Sequence, residues 1–259
     1  MIPLQRAGYL AHARSLAFRR RLDEARRLIA AHANYAVSVS WGKDSTVLLH
    51  VAAHVRPDIA AVNARYLPEE RPPDTDAVRD AVMAQLPHVR YAEVPCVGEW
   101  EMYERTGFFV EARTAAHRAA VRWCMASFLS ALRTAGERLG ADGALLGLRA
   151  QESRARAMHA ARRGAAYTRQ DGQAIALPLL RWRSEDIWAY LCLHDLPWLR
   201  MYDVAADRGR ARSEIVFATA GTGAADAIRR HGAWLDWRLA YPEQFRAWLR
   251  RFPEIQRFL

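Results

Sequence analysis

The stretch from Ala36 to Ala52 constrains this chain more than any other. An apolar run, Ala36-Val37-Ser38-Val39, leads into Ser40-Trp41-Gly42-Lys43-Asp44-Ser45 and then Thr46-Val47-Leu48-Leu49-His50-Val51-Ala52. The first run predicts a buried strand, the last the beginning of a helix, and the residues between them a tight loop. A loop of this kind is an anion site on physical grounds. The first helical turn has N–H groups with no earlier turn to donate to, and the positive end of the helix dipole faces the same way. Gly42 lets the backbone approach a phosphate closely, Ser40 and Ser45 offer hydroxyls, and Lys43 adds a point charge. Of the 38 lysine and arginine residues, Lys43 is the only lysine. Asp44 is the odd member of a phosphate cradle. It reads either as a helix N-cap or as a charge-balancing or metal-contacting group. The spacing is not that of the GxxxxGK[ST] loop, whose lysine follows a longer glycine-rich arc.

Around this unit the pattern alternates. Residues 4–33 read as one helix, with Leu10, Leu16, Phe18, Leu22, Ala25 and Leu28 at roughly helical spacing. Further strands are expected at Ile59–Val62, Val89–Val94, Gly143–Leu148 and Ile175–Leu180. Helices are expected at Ala77–Leu86 and Ala115–Arg138, and another is expected with Ser184 as its N-cap. Gly98 to Phe109 resists assignment. Residues 150–172, with five arginines between 154 and 169, read as a loop. Strands alternating with helices predict a doubly wound, mostly parallel α/β sheet, followed by a helical C-terminal appendage. The expected organisation is an N-terminal helix at 1–33, a nucleotide-binding domain at 34–205 and an aromatic appendage at 206–259. Trp234, Trp237, Tyr241, Phe245, Trp248, Phe252 and Phe258 mark that appendage as packed; the alternative is a base-stacking platform.

Three motifs in order carry a resemblance. Ser40–Ser45 looks like the pyrophosphate-binding loop, SGGKDS or SFGKDS, of the PP-loop ATP pyrophosphatase superfamily, with Trp41 at the variable second position. Gly147-Leu148-Arg149-Ala150-Gln151-Glu152-Ser153 with Arg156 resembles the GxRxxxS…R element of its phosphoadenosine phosphosulfate (PAPS) reductase-like branch. Pro178-Leu179-Leu180-Arg181-Trp182, Asp186-Ile187-Trp188 with Tyr190 and Leu191, then Leu196-Pro197 and Tyr202 resemble PLxxW…D[IV]WxYL…LP…Y. That branch includes sulfonucleotide reductases, the small subunit of sulfate adenylyltransferase and the ATP pyrophosphatases of DNA phosphorothioation. The resemblance covers roughly residues 30–205. It implies a nucleotide site made of Ser40, Trp41, Gly42, Lys43, Asp44, Ser45, Gly147, Arg149, Ser153 and Arg156, with Lys43, Asp44 and Arg149 as catalytic groups. ATP and Mg²⁺ are the implied cofactors, and cleavage between the α and β phosphates is the implied reaction.

By residue type, Arg149 and Arg156 are planar forks suited to phosphate; the alternative is pairing with Glu152. Trp182 and Trp188 read as core, and Asp186 as a first-turn helix charge. Glu69, Glu70, Asp74 and Asp76 read as solvated loop charge, with Mg²⁺ contact as the alternative, so no metal-ligating residue is assigned. Cys96, Cys124 and Cys192 form neither a CxxC pair nor a disulfide framework. A reductase of this branch uses a cysteine in a segment resembling ECGxH, and nothing of that form follows Cys192. Cys124 reads as a buried thiol, with sulfur relay as the alternative. The expected activity is adenylyl transfer from ATP, and DNA is the favoured acceptor because the net charge is +10 and a polyanion responds to such a surface. The alternatives are a nucleotide-binding module that does no chemistry itself and serves as partner subunit of a sulfur-transfer or sulfate-activating complex, a PAPS- or sulfonucleotide-binding reductase-like protein, and nucleic-acid binding alone; a protein partner or a second copy of the chain is expected. No run nears the ~18 apolar residues of a membrane span, and the N-terminus has no secretory pattern, so the expectation is a cytoplasmic protein without a membrane partner.

Overall fold

The computed structural model describes residues 1, 3–107, 114–210 and 233–258. The described residues form a six-stranded sheet with flanking helices, an α/β fold as expected. The strands are β1 (Tyr35–Ser38), β2 (Ala60–Arg65), β3 (Arg90–Pro95), β4 (Gly143–Leu146), β5 (Ala166–Thr168) and β6 (Ala174–Ala176), in the spatial order β3-β2-β1-β4-β6-β5. β1 runs parallel to β2 on one side and to β4 on the other, with Val37 opposite Ala61 and Leu145. β6 is parallel to β4, and β5 is antiparallel to β6 at the sheet edge. The order reverses at β1, so the loop that follows β1 opens at the switch point where open α/β sheets take ligands.

The helices are α1 (Pro3–Ala13), α2 (Leu16–Ala30), α3 (Lys43–Val55), α4 (Thr75–Gln85), α5 (Glu99–Thr106), α6 (Ala115–Arg138), α7 (Arg154–Arg163), α8 (Ser184–Leu193), α9 (Met201–Asp207), α10 (Ala233–Ala240) and α11 (Pro242–Arg251). Among the described residues no helix is long and apolar enough to cross a membrane. The chain divides into two compact units. The first comprises Met1–Asn63, Ala77–Glu93 and Leu132–Trp198; the second comprises Ala64–Asp76, Val94–Ala131 and Leu199–Leu259.

In the first unit, the helix expected over residues 4–33 is two. Ser15 adopts an extended conformation and its hydroxyl accepts the Phe18 N–H at 3.2 Å, which starts α2 and ends α1. Removing this cap in Ser15→Ala should cost about 1 kcal/mol, read as a lower denaturation midpoint with nucleotide affinity unchanged. α1 lies on α8: His12 meets Asp186 at 2.7 Å, and Tyr9 stacks on Trp188. Trp182 and Trp188 are buried in this core, as expected.

Three other expectations are corrected here. Residues 150–172 are not a loop. Ser153 caps α7 by accepting the Arg156 N–H at 3.1 Å, and Gly164 ends it at φ +73°, after which β5 and β6 form a hairpin. β6 is shorter than Ile175–Leu180 because Pro178 has no N–H for a ladder, and Leu180 turns back onto the Leu177 carbonyl. The cap of α8 is Arg183, not Ser184: the Asp186 carboxylate accepts the Arg183 N–H at 2.6 Å, while the Ser184 N–H goes to Gln151. Asp186 is fully buried and also takes the Arg21 guanidinium at 3.0 Å.

The second unit has a core of its own. Met102, Tyr103, Cys124, Trp237, Tyr241 and Phe245 are buried in one cluster with Trp248 and Phe252. These tail aromatics are therefore interior side chains and not an open stacking surface. Trp234 and Phe258 carry no described side chain. The segment Gly98–Phe109 holds α5, with Phe108 and Phe109 outside the described residues.

Candidate functional site

The site is assembled in the first unit, at the end of β1. Val39 donates its N–H to the Val62 carbonyl at 2.9 Å and so stays in the sheet; the chain then leaves it at Ser40. The turn is closed by Ser45, whose hydroxyl accepts the Ser40 N–H at 3.1 Å and donates to the Gly42 carbonyl at 3.0 Å. The Ser40 and Ser45 hydroxyls lie 3.2 Å apart. Ser45 is thus used to shape the loop, and Ser40 is the exposed hydroxyl on its rim.

The loop's tight point falls at Trp41, not at Gly42. Trp41 has φ +60°, a left-handed conformation that L side chains rarely take, whereas Gly42 has φ −75°. Gly42 is the N-cap of α3 and supplies no side chain to satisfy the first-turn N–H groups. A 13-residue helix with an uncapped start presents its donors and its dipole to the same point.

The charge at this helix start is a buried triad. Lys43 Nζ lies 2.6 Å from one Asp44 oxygen, and Arg149 Nε lies 2.6 Å from the other. Side-chain exposure is 5% for Lys43, 16% for Asp44 and 2% for Arg149. Burial works to raise the Asp44 carboxyl, but the charges and hydrogen bonds of Lys43 and Arg149 outweigh it and hold the group below the usual carboxylate range. Asp44 is a charge-balancing residue and makes no N-cap. Arg149 also donates to Gln151 at 3.2 Å, and Gln151 accepts the Ser184 N–H at 2.7 Å, so the guanidinium is fixed from two sides.

The second motif reaches the loop through β4. A side chain at Gly147 would place its Cβ 3.2 Å from the Asp44 carbonyl group and the Ser45 nitrogen, so the glycine lets the end of β4 run against the start of α3. Arg149, Glu152, Ser153 and Arg156 then divide into two sets. Arg149 joins the loop. Glu152 accepts the Arg149 backbone N–H at 2.8 Å and pairs with Arg156, while Ser153 caps α7. The structure therefore brings together Ser40, Trp41, Gly42, Lys43, Asp44, Ser45, Gly147 and Arg149, and it places Ser153 and Arg156 at the neighbouring start of α7.

The acidic segment belongs to the second unit and is engaged there. Glu70 accepts the N–H groups of Trp100 at 2.6 Å and Leu67 at 3.2 Å. Arg71 grips Asp76 with two contacts of 2.6 Å, and Asp74 accepts the Tyr241 hydroxyl at 2.7 Å. Among the described residues, no group of three or more His, Cys, Asp or Glu side chains is placed to hold a metal ion.

Tyr91 is a site residue that the sequence reading missed. Its hydroxyl accepts the Trp41 indole N–H at 3.4 Å and donates to Glu93 at 2.8 Å. A signal was present: Tyr91 and Glu93 are two residues apart in an expected strand, which puts both on one face. The thiols are less engaged with chemistry. Cys124 and Cys192 are buried, and burial pushes the half-buried Cys96 thiol up to about 12.

Comparison with known proteins gives the family and the fold. The model of the phosphoadenosine phosphosulfate reductase domain matches residues 34–227. A phosphoadenosine 5'-phosphosulfate reductase from Synechococcus sp. is 27% identical over 169 residues, which cover 64% of this chain and 68% of that protein. A crystal structure of phosphoadenylyl-sulfate (PAPS) reductase from Candida auris, a phosphate complex, is 16% identical with a TM-score of 0.50. It covers 71% of this chain and 84% of that one, and shows that the fold is shared.

Proposed function

We propose, from the premise that this chain belongs to the phosphoadenosine phosphosulfate reductase domain family, that it binds ATP at Ser40–Ser45 and cleaves it between the α and β phosphates to adenylylate an acceptor in sulfur chemistry. The observation that carries this reading is the uncapped start of α3, with the chain's only lysine at its first residue and a buried aspartate–arginine pair behind it. In such a reaction an acceptor oxygen forms a bond to the α-phosphorus in line with the breaking bond to the bridging oxygen, and pyrophosphate leaves with the electron pair. Charge grows on the leaving group. Lys43 and the first-turn N–H groups of α3 would stabilise it by fixed electrostatics, with no covalent step. Arg149 acts one layer behind: it holds Asp44, and Asp44 holds Lys43. Mg²⁺ would enter as an ion carried by the triphosphate and would offset charge on the phosphate oxygens; the described residues offer it no cage of three or more His, Cys, Asp or Glu side chains.

DNA is the acceptor we favour. The net charge is +10, and Arg154 and Arg162 stand exposed on α7, a helix that buries none of its residues. The name of the Synechococcus relative favours a second reading, sulfonucleotide reduction. That reaction needs a thiolate nucleophile, and none of the three thiols in this sequence is both exposed and acidified.

The test is incubation of the full chain with Mg²⁺ and α-labelled ATP, with and without DNA, beside Lys43→Ala. Lys43-dependent AMP and pyrophosphate, stimulated by DNA and suppressed as salt rises, is the expected result. ADP as the product contradicts the mechanism. ATP bound without turnover points to the reading in which a partner subunit completes the site.

A further inference from the structure

Trp41 presents a physical puzzle. Among the described residues only two non-glycine positions have positive φ, Trp41 at 60° and Asp195 at 49°. Aspartate tolerates this region because its short side chain bonds locally; a bulky indole does not, and its Cβ crowds the following carbonyl. Something must hold it. The strain lies one residue before the N-cap of α3, so the direction of the Gly42 and Lys43 peptide groups depends on it.

The indole is held by β3. Trp41 is 3% exposed, and its ring meets Tyr91 edge-on, with centroids 5.6 Å apart and planes at 65°. Its N–H donates to the Tyr91 hydroxyl at 3.4 Å, Tyr91 donates to Glu93 at 2.8 Å, and Arg79 approaches Glu93 at 3.8 Å. Burial, and then the bond to Glu93, push the Tyr91 phenol well above its ordinary value, so it stays protonated and the donor chain keeps one direction. Of this relay only Trp41 belongs to the nucleotide loop; Tyr91, Glu93 and Arg79 lie outside the residues assigned to phosphate binding.

We infer that Tyr91, oriented by Glu93, is a positioning residue that clamps the Trp41 indole and thereby keeps the Ser40–Ser45 loop in its anion-binding shape. In this chain a side-chain clamp on β3 does what a glycine at position 41 would do by itself, because glycine takes positive φ without steric cost. The clamp makes the loop depend on β3. Its consequence for nucleotide affinity rests on the function proposed above; its consequence for loop geometry does not.

A double-mutant cycle tests the inference. Binding of α,β-methylene-ATP with Mg²⁺ is measured by calorimetry for the wild type, Tyr91→Ala, Tyr91→Phe, Trp41→Gly and Trp41→Gly/Tyr91→Ala. Tyr91→Ala is expected to weaken binding about tenfold when Trp41 is present and less than about twofold when residue 41 is glycine, because no clamp is then required. Tyr91→Phe, which keeps the ring and loses the hydroxyl, should show a smaller loss with the same dependence on Trp41. Equal losses in both backgrounds would overturn the inference, since Tyr91 would then act by a route other than Trp41. Amide hydrogen exchange over residues 40–46 reads the loop without nucleotide. Faster exchange in Tyr91→Ala that Trp41→Gly abolishes supports the clamp, and unchanged exchange overturns it. If Tyr91→Ala does not fold, the Tyr91→Phe arm decides. A wild type that binds no nucleotide sinks the proposed function and leaves the exchange experiment to judge the clamp.

Discussion

Replacing Asp44 by alanine is expected to destabilise the protein by about 3 kcal/mol or more and to abolish nucleotide binding. The cause is electrostatic. Lys43 and Arg149 are almost wholly buried, and each has a 2.6 Å contact to one oxygen of the same carboxylate. Taking away that carboxylate leaves two cations facing one another out of water, and removing one partner of a buried pair typically costs about 3–5 kcal/mol. Replacing Arg149 by methionine should cost less, because Asp44 keeps Lys43 and the volume is largely retained. The order of denaturation midpoints, wild type above Arg149→Met above Asp44→Ala, checks this. An Asp44→Ala protein as stable as the wild type would mean that the triad is solvated in solution. The same order applied to function separates two roles for Arg149. If it touched phosphate directly, its loss would weaken nucleotide binding as much as the loss of Lys43. If it acts through Asp44, the loss is smaller.

The sequence was legible where chemistry and periodicity are local. The strand, loop and helix around Lys43 could be read because a short apolar run, a Ser/Gly turn and a second apolar run each have one structural meaning. α6 was read to its observed bounds for the same reason. α7 was not, because its sequence is rich in arginine and its one large apolar residue, Met158, stays exposed, so no core-facing run marks it. Charge balance was one of three readings open for Asp44, and the sequence could not choose it, since its second partner is 105 positions away and only the closing of β4 against β1 brings them together. The break at Ser15 was readable but overridden: a hydroxyl inside a helical pattern is ambiguous until its partner is seen. Trp41 carried the opposite lesson. The loop's glycine suggested where the backbone turns tightly, yet the positive φ falls one residue earlier, on the largest side chain in the loop.

The second large effect is a loss of stability on mild acidification, and it originates on the helix that carries Lys43. His50 lies on α3, is 4% exposed, and has its Nδ1 2.9 Å from the Tyr190 hydroxyl. The rings of His54 and His194 stand 4.3 Å and 4.9 Å from it. Burial, then the charges of His54 and His194, push the His50 imidazole down to about 3. Burial likewise lowers His194, with His54 and Arg26 acting in the same direction and Asp195 opposing. An imidazole in the unfolded chain takes up its proton near pH 6.5, whereas His50 in the fold does not until about pH 3. Between those values the unfolded state binds more protons, so stability is complete above about pH 6.5 and falls as pH drops toward 3. A single such group contributes a slope of at most about 1.4 kcal/mol per pH unit, and His194 adds to it. The window from pH 6.5 to 5 isolates the effect, because ordinary carboxylates have not yet begun to titrate. The denaturation midpoint of the wild type should fall across that window, while His50→Gln, which keeps a polar partner for Tyr190 and cannot take a proton there, should fall less steeply. A His50→Gln variant as steep as the wild type would show that His50 is already open to protons in the folded chain, and the acid sensitivity would then have to come from His194.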